Sequence, residues 1–123
     1  MVIGIGCDLV SHSFTRELGW QDDPHVLKRV FTLREIEQYE VSKSVGFLAG
    51  RFAVKEAVLK SINKGMEDGI SLLDIEVLRQ ENGQAEIEVM GKVKEIANTL
   101  GIKNWLVTIS HSEDITVAIV LAQ

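Results

Sequence analysis

RFAVKEAVLK, residues 51–60, decides how this chain folds. Wound at about 100° per residue, the segment 47–62 puts Leu48, Phe52 and Leu59 on one side and Val54, Val58 and Ile62 on another, with Ala49, Ala53 and Ala57 filling much of the remainder. A helix apolar nearly all round is a buried helix, and the other elements must be arranged around it. Yet this one carries Arg51, Lys55, Glu56 and Lys60. Arg51 and Lys55 are like charges at i,i+4, unfavourable by a few tenths of a kcal/mol unless an anion lies between them, whereas Glu56 precedes Lys60 in the favourable order. Two readings follow. One is a half-exposed helix whose long side chains snorkel to water, and spacing alone favours that. The other is a polar cleft for a phosphate-rich ligand, with Glu56 on a metal and the cations on phosphates, because unpaired buried charge is expensive.

Outward from this helix, which the pattern runs from about Ser44 to Asn63 with a stop near Gly65, the remaining elements follow. VIGIGCDLV, residues 2–10, alternates Ile3, Ile5, Cys7 and Leu9 with Gly4, Gly6 and Asp8, which predicts a strand. Its second face is nearly empty until Asp8, so something can approach the backbone closely there. A helical turn is expected around Phe14–Leu18 and a short segment over His25–Phe31. Thr32 with Glu35 three residues on makes a capping box for LREIEQYE. GMEDGIS, residues 65–71, is the best loop candidate. DIEVLRQ and QAEIEVM flank Glu81-Asn82-Gly83, a hairpin signal. GKVKEIANTL suits a helix ending at Gly101, and NWLVTIS and ITVAIVLA form a closing hairpin around HSED. The expected architecture is α+β, an antiparallel sheet packed against a long central helix.

With 123 residues, 46% hydrophobic, 25% charged and one Pro, the chain is one ordered domain, 1–123. No apolar run is long enough to span a membrane and no leader precedes a cleavage site, so a cytoplasmic protein is expected. A net charge of −5 argues against general nucleic-acid binding and leaves room for a local basic patch. Cys7, the one cysteine, reads as a small buried hydrophobe. Asp8 could join Glu56 as a second hard oxygen ligand for Mg²⁺, although an Asp in a Gly-rich strand is more often a turn or capping residue. His111, at a strand end, reads alone as a structural or surface histidine. Dinucleotide and phosphate-loop glycine motifs and a serine-hydrolase elbow are missing. His12 and His25 carry no usable signal.

GIGCDLV, FLAGRFAVKEAVLK, DIEV with its Asn-Gly turn and VTISHSED, in this order and with RVFTLREIEQY between, resemble the holo-acyl-carrier-protein synthase group of 4′-phosphopantetheinyl transferases. The resemblance covers nearly the whole chain, and its R-F-A-x-K-E-A-x-x-K block is the specific part. It implies the fold of that family and transfer of the phosphopantetheine arm of coenzyme A to a serine of an acyl carrier protein, with Mg²⁺ required and adenosine 3′,5′-bisphosphate released. It implies Asp8 and Glu56 as metal ligands, Glu56 and Lys60 as catalytic groups, and Arg51, His111, Asn82 and Gly83 around the nucleotide end of coenzyme A, with Lys55 as a further phosphate contact. The proton acceptor would be a carboxylate or a metal-held water near Glu56. It also implies a homotrimer with shared active sites, in which part of the apolar helix would be interface. A non-catalytic relative that binds coenzyme A or a carrier is the alternative.

The chain departs from that family in places. SHSFTREL puts Phe14 where an Arg on the carrier-docking helix is usual. Leu59 stands where Ser is frequent, Ala85 where Pro is, and Ile115 where an aromatic is. Carrier docking and the pantetheine edge are thus altered, with Arg16, Lys28, Arg29 and Arg34 left as a basic surface for an acidic carrier.

Overall fold

The computed structural model describes residues 1–65 and 68–123; Met66 and Glu67 of the expected loop lie outside the described residues. In chain order the elements are β1 (Gly4–Ser11), α1 (His12–Glu17), α2 (Pro24–Val30), α3 (Leu33–Ser42), α4 (Val45–Ser61), a short 3₁₀ turn (Leu72–Asp74), β2 (Ile75–Arg79), β3 (Ala85–Val89), α5 (Gly91–Leu100), β4 (Trp105–His111) and β5 (Ile115–Ala122). The strands form an antiparallel three-stranded sheet, β1-β5-β4, and a separate hairpin, β2-β3. Capping chemistry fixes the helix starts. The Ser44 hydroxyl accepts from Phe47 N at the head of α4, and Thr32 and Glu35 form the expected capping box on α3.

α4 is buried as its pattern demands. Ala49, Ala53, Val54, Ala57, Val58 and Leu59 are at most 1% exposed, each large one worth roughly 1.5–3 kcal/mol of burial. They pack with Ala118, Val120, Ile75, Val77 and Val93 from the sheets and α5. A second cluster of Trp20, Leu27, Phe31 and Tyr39 gathers on Leu48, with Trp20 edge-on to Phe31 at 5.1 Å. The helix is therefore covered by its own chain, and the expectation that its apolarity marks a subunit interface is corrected.

The unpartnered apolar surface lies elsewhere. β1 turns its empty face to α4. A methyl group at Gly6 would collide with the carbonyl oxygen of Ala57, and one at Gly4 with that of Ser61. The glycines let strand and helix backbones touch. The apolar face of β1 consequently points outward, with Ile5 64% and Leu9 63% exposed. Register carries that face across the sheet: Ile5 stands opposite Leu121 and Cys7 opposite Ile119, and Leu106 opposite Leu121 from the other side. Cys7, expected in the core, is exposed on this face. Strand alternation made one side apolar, but the close helix claimed the other.

Candidate active site

The four charges of α4 part company. Lys55 is fully buried, and its ammonium donates to Glu35 Oε1 at 2.7 Å, to Val30 O at 2.7 Å and to Leu72 O at 3.0 Å. All three of its hydrogens are engaged. Glu35 in turn accepts from Thr32 N at 2.8 Å and from Val77 N at 2.8 Å. Burial pulls the Lys55 pKa below its usual value while Glu35 opposes that shift. Lys55 is thus an internal tie between α4, α3 and β2, and the expectation of a phosphate contact is corrected.

Arg51 is also buried, at 2% exposure, but differently. Its guanidinium lies 3.8 Å over the Phe47 ring, and its Nε and Nη2 have no hydrogen-bond partner. Burial, then the neighbouring Arg79, lower its pKa to about 10 against a raising contribution from Glu35. Buried donors without acceptors are costly and mark a position awaiting a ligand. A cavity of about 650 Å³ opens beside it, lined among others by Arg16, Arg51, Arg79, His111, Ser44 and His12. In a chain of net charge −5, three guanidiniums around one hollow make a local anion site. The Nδ1 of His111 is 2.8 Å from Thr116 Oγ1. Its pKa is lowered by burial first, then by His12, Arg79 and Arg51.

On the following turns of the helix, Glu56 lines a second cavity of about 500 Å³ together with Asp8, Phe14 and Phe52. Strand one and the long helix thus bring the two carboxylates to one hollow. Lys60 donates to Asp8 Oδ1 at 2.8 Å and to Cys7 O at 3.1 Å. The Asp8 hydrogen bond is the largest cause raising its pKa, with Glu56 among the lesser ones, so Lys60 stays an ammonium. Among the described residues no cluster of three or more His, Cys, Asp or Glu is poised to hold a metal. Two hard carboxylates beside open space suit Mg²⁺, which keeps waters and takes substrate phosphates as further ligands.

Asn82 and Gly83 form the tip of the β2-β3 hairpin, Gly83 at φ +85°, and do not line the Arg51 cavity of their own chain. The proposed basic docking surface divides: Arg16 lines that cavity and Arg34 pairs with Glu76 at 3.2 Å, leaving Lys28 and Arg29 exposed on α2. Sequence reasoning missed Arg79, His12 and Thr116. Arg79 had a signal, since alternation puts it on the apolar face of Ile75 and Val77. His12 had none, because only the fold carries it to β5.

Comparison with known proteins bears on this geometry. The model of the 4′-phosphopantetheinyl transferase superfamily matches residues 4–120. A holo-[acyl-carrier-protein] synthase of Hydrogenovibrio crunogenus is 36% identical over 124 residues, covering 100% of this chain and 98% of the relative. The crystal structure of holo-[acyl-carrier-protein] synthase from Neisseria meningitidis superposes with TM-score 0.88 at 27% identity, covering 100% of this chain and 99% of that one. The Helicobacter pylori synthase in complex with coenzyme A gives 0.83 at 26% identity, over 97% and 99% of the two chains.

Proposed function

We propose, on the premise that the chain belongs to the 4′-phosphopantetheinyl transferase superfamily, that it is a holo-[acyl-carrier-protein] synthase acting in the cytoplasm as a single transferase domain. It moves the 4′-phosphopantetheine arm of coenzyme A to a serine hydroxyl of an apo acyl carrier protein. The relatives that share its full length carry that name, and one of them holds coenzyme A. The observation that carries the reading is the Arg51 guanidinium, buried with Nε and Nη2 unpartnered beside a basic hollow. An anion completes that environment, and the nucleotide phosphates of coenzyme A are the anions the family supplies.

Chemically, the serine oxygen forms a bond to the phosphorus that carries the pantetheine arm, and the pyrophosphate P–O bond to the nucleotide breaks. The serine proton passes to a base, and adenosine 3′,5′-bisphosphate leaves. Asp8 and Glu56 would hold Mg²⁺, which when bound neutralises charge on the pyrophosphate. Lys60, kept charged by Asp8, stabilises the negative charge that develops on the leaving phosphate. Arg51 with Arg79 and His111 anchors the nucleotide end, and remote binding of this kind orients the reacting phosphorus. Glu56 lines the same hollow as Asp8, and the serine proton would pass to that carboxylate or to a metal-held water beside it.

The outer face of the three-stranded sheet, with Ile5, Leu9, Leu106 and Ile119 exposed, supports self-association as a homotrimer. Asn82 and Gly83 would then meet the nucleotide of a neighbouring subunit. The test is mass spectrometry of an apo carrier protein incubated with coenzyme A and Mg²⁺. A gain equal to the phosphopantetheine arm is expected; binding of coenzyme A by calorimetry without any gain on several carriers selects the non-catalytic alternative.

A further inference from the structure

His12 on α1 and Thr116 on β5, 7% and 0% exposed, are buried polar groups with no part in phosphoryl transfer, yet His12 lines the Arg51 cavity and Thr116 reaches it through His111. His12 Nδ1 is 2.9 Å from the Glu113 carbonyl oxygen, and its Nε2 is 2.8 Å from Thr116 Oγ1. The same hydroxyl is 2.8 Å from His111 Nδ1. Donor and acceptor rules assign every proton in this chain of contacts. A carbonyl only accepts, so His12 Nδ1 carries hydrogen. With His12 neutral, its Nε2 is a lone pair, and the Thr116 hydroxyl donates to it. A hydroxyl has one hydrogen, so Thr116 can only accept from His111 Nδ1–H. Neutral His111 is thereby held with a bare Nε2, the nitrogen left for the cavity it lines.

A bare lone pair repels a phosphate oxygen. An N–H toward the cavity requires one more proton, and it can enter at either end. Added to His111, it makes the imidazolium. Added to His12 Nε2, it reverses the chain: His12 donates to Thr116, Thr116 donates to His111 Nδ1, and neutral His111 carries its hydrogen on Nε2. Both routes add one proton to the pair.

We propose that His12 and Thr116 are positioning residues of this pocket, which hold His111 in its Nδ1–H form so that binding of a phosphate anion takes up one proton. This rests on the cavity being the site for the nucleotide phosphates. The charged and titratable groups facing the pair are Arg16 from α1, Arg51 from α4 and Arg79 from β2, with the exposed carboxylates of Glu113 and Asp114 in the β4-β5 turn. Burial first, and then His12, Arg79 and Arg51, hold the His111 pKa below its usual value, and an arriving anion offsets the two guanidiniums. Between the free and bound pKa of His111, affinity therefore falls about tenfold per pH unit as pH rises.

Two measurements on the full chain test this. Long-range ¹H–¹⁵N NMR of the ligand-free protein reads the tautomers directly; Nδ1–H on both His12 and His111 is expected, and Nε2–H on His111 overturns the proposal. Calorimetry with adenosine 3′,5′-bisphosphate near pH 7.5, in two buffers of different ionisation enthalpy, counts protons. The wild type and Thr116→Ser should take up about one per ligand, and Thr116→Val, which frees His111 to keep its hydrogen on Nε2, markedly less. Uptake near zero in the wild type, or undiminished in Thr116→Val, refutes the relay. Absence of binding would instead sink the assignment of the cavity, leaving the NMR result to decide the tautomer on its own.

Discussion

Replacing Lys55 with Met separates an internal tie from a ligand contact. The ammonium satisfies Val30 O, Leu72 O and Glu35 Oε1 from a fully buried position. Met keeps most of the volume and removes the charge, leaving a buried Glu35 carboxylate with only the Thr32 and Val77 amides. Breaking one side of a buried pair costs about 3–5 kcal/mol. For a domain of this size about 4 °C of Tm goes with each kcal/mol, so a fall of roughly 12–20 °C is expected. Circular dichroism melts at one fixed protein concentration read it, since any oligomer makes Tm concentration-dependent. Affinity for coenzyme A, measured well below the melting range, should stay within about threefold, far under the tenfold that 1.4 kcal/mol of lost contact would give. The double variant Lys55→Met with Glu35→Gln recovers part of the loss, because no carboxylate is then stranded. An unchanged Tm together with a tenfold weaker coenzyme A complex would refute the argument and restore Lys55 as a phosphate contact.

Glu56→Gln should leave the melting curve intact and lower transfer to the carrier by a hundredfold or more, the several kcal/mol of charge stabilisation that a metal ligand supports; full activity in a gel-shift assay would contradict its role. Arg51→Met should weaken coenzyme A binding by about 10–100-fold, the range for lost hydrogen bonds to a charged group. The same variant should melt higher without ligand. With a folded pKa of about 10 against the ordinary 12.5, the charged form is penalised in the folded state. That penalty is fully present below pH 10 and relieved only as pH climbs past it; calorimetric melts at neutral pH with and without coenzyme A check both signs. Ile119→Lys, in the middle of the exposed sheet face, tests the proposed trimer: size-exclusion light scattering should report a trimer for the wild type and a monomer for the variant, because desolvating an unpaired ammonium in such an interface is unfavourable.

The elements were legible because each carries a local cause: alternation for the strands, a capping box for α3, Asn-Gly for the hairpin, Gly101 after α5. What failed was assignment of faces and partners. Ile5, Cys7 and Leu9 form an apolar side that alternation alone directs inward, but Gly4 and Gly6 admit the carbonyls of Ser61 and Ala57, and backbone contact outranks side-chain burial there. Lys55 looked like its neighbours because charge and spacing are equal for a ligand contact and for an internal tie. Only Glu35, twenty residues earlier and already explained as a capping residue, distinguishes them. His12 and Thr116 are 104 positions apart, and no local pattern reports such a meeting.

The proposed reaction needs both hollows to serve one ligand, and α4 is the element that links them. Arg51 and Glu56 are five residues apart, about 7.5 Å of helix rise, and Lys60 lies about 6 Å beyond Glu56. The apolar sides of α4 pack against both sheets and the neighbouring helices, so the axial spacing from the unpartnered guanidinium to Glu56 is set by the core and not by loops. Phe52, between Arg51 and Glu56 in sequence, meets Trp20 at 5.1 Å and Phe14 at 6.4 Å, and with Phe14 it walls the carboxylate hollow. A ligand with phosphates at both its nucleotide end and its diphosphate would engage both stations at once, which turns nucleotide binding into orientation of the reacting phosphorus. In the proposed carrier complex Phe14 stands where the family resemblance implies a docking arginine, so the face offered to the carrier would be more apolar and its recognition would fall more heavily on Lys28 and Arg29 of α2.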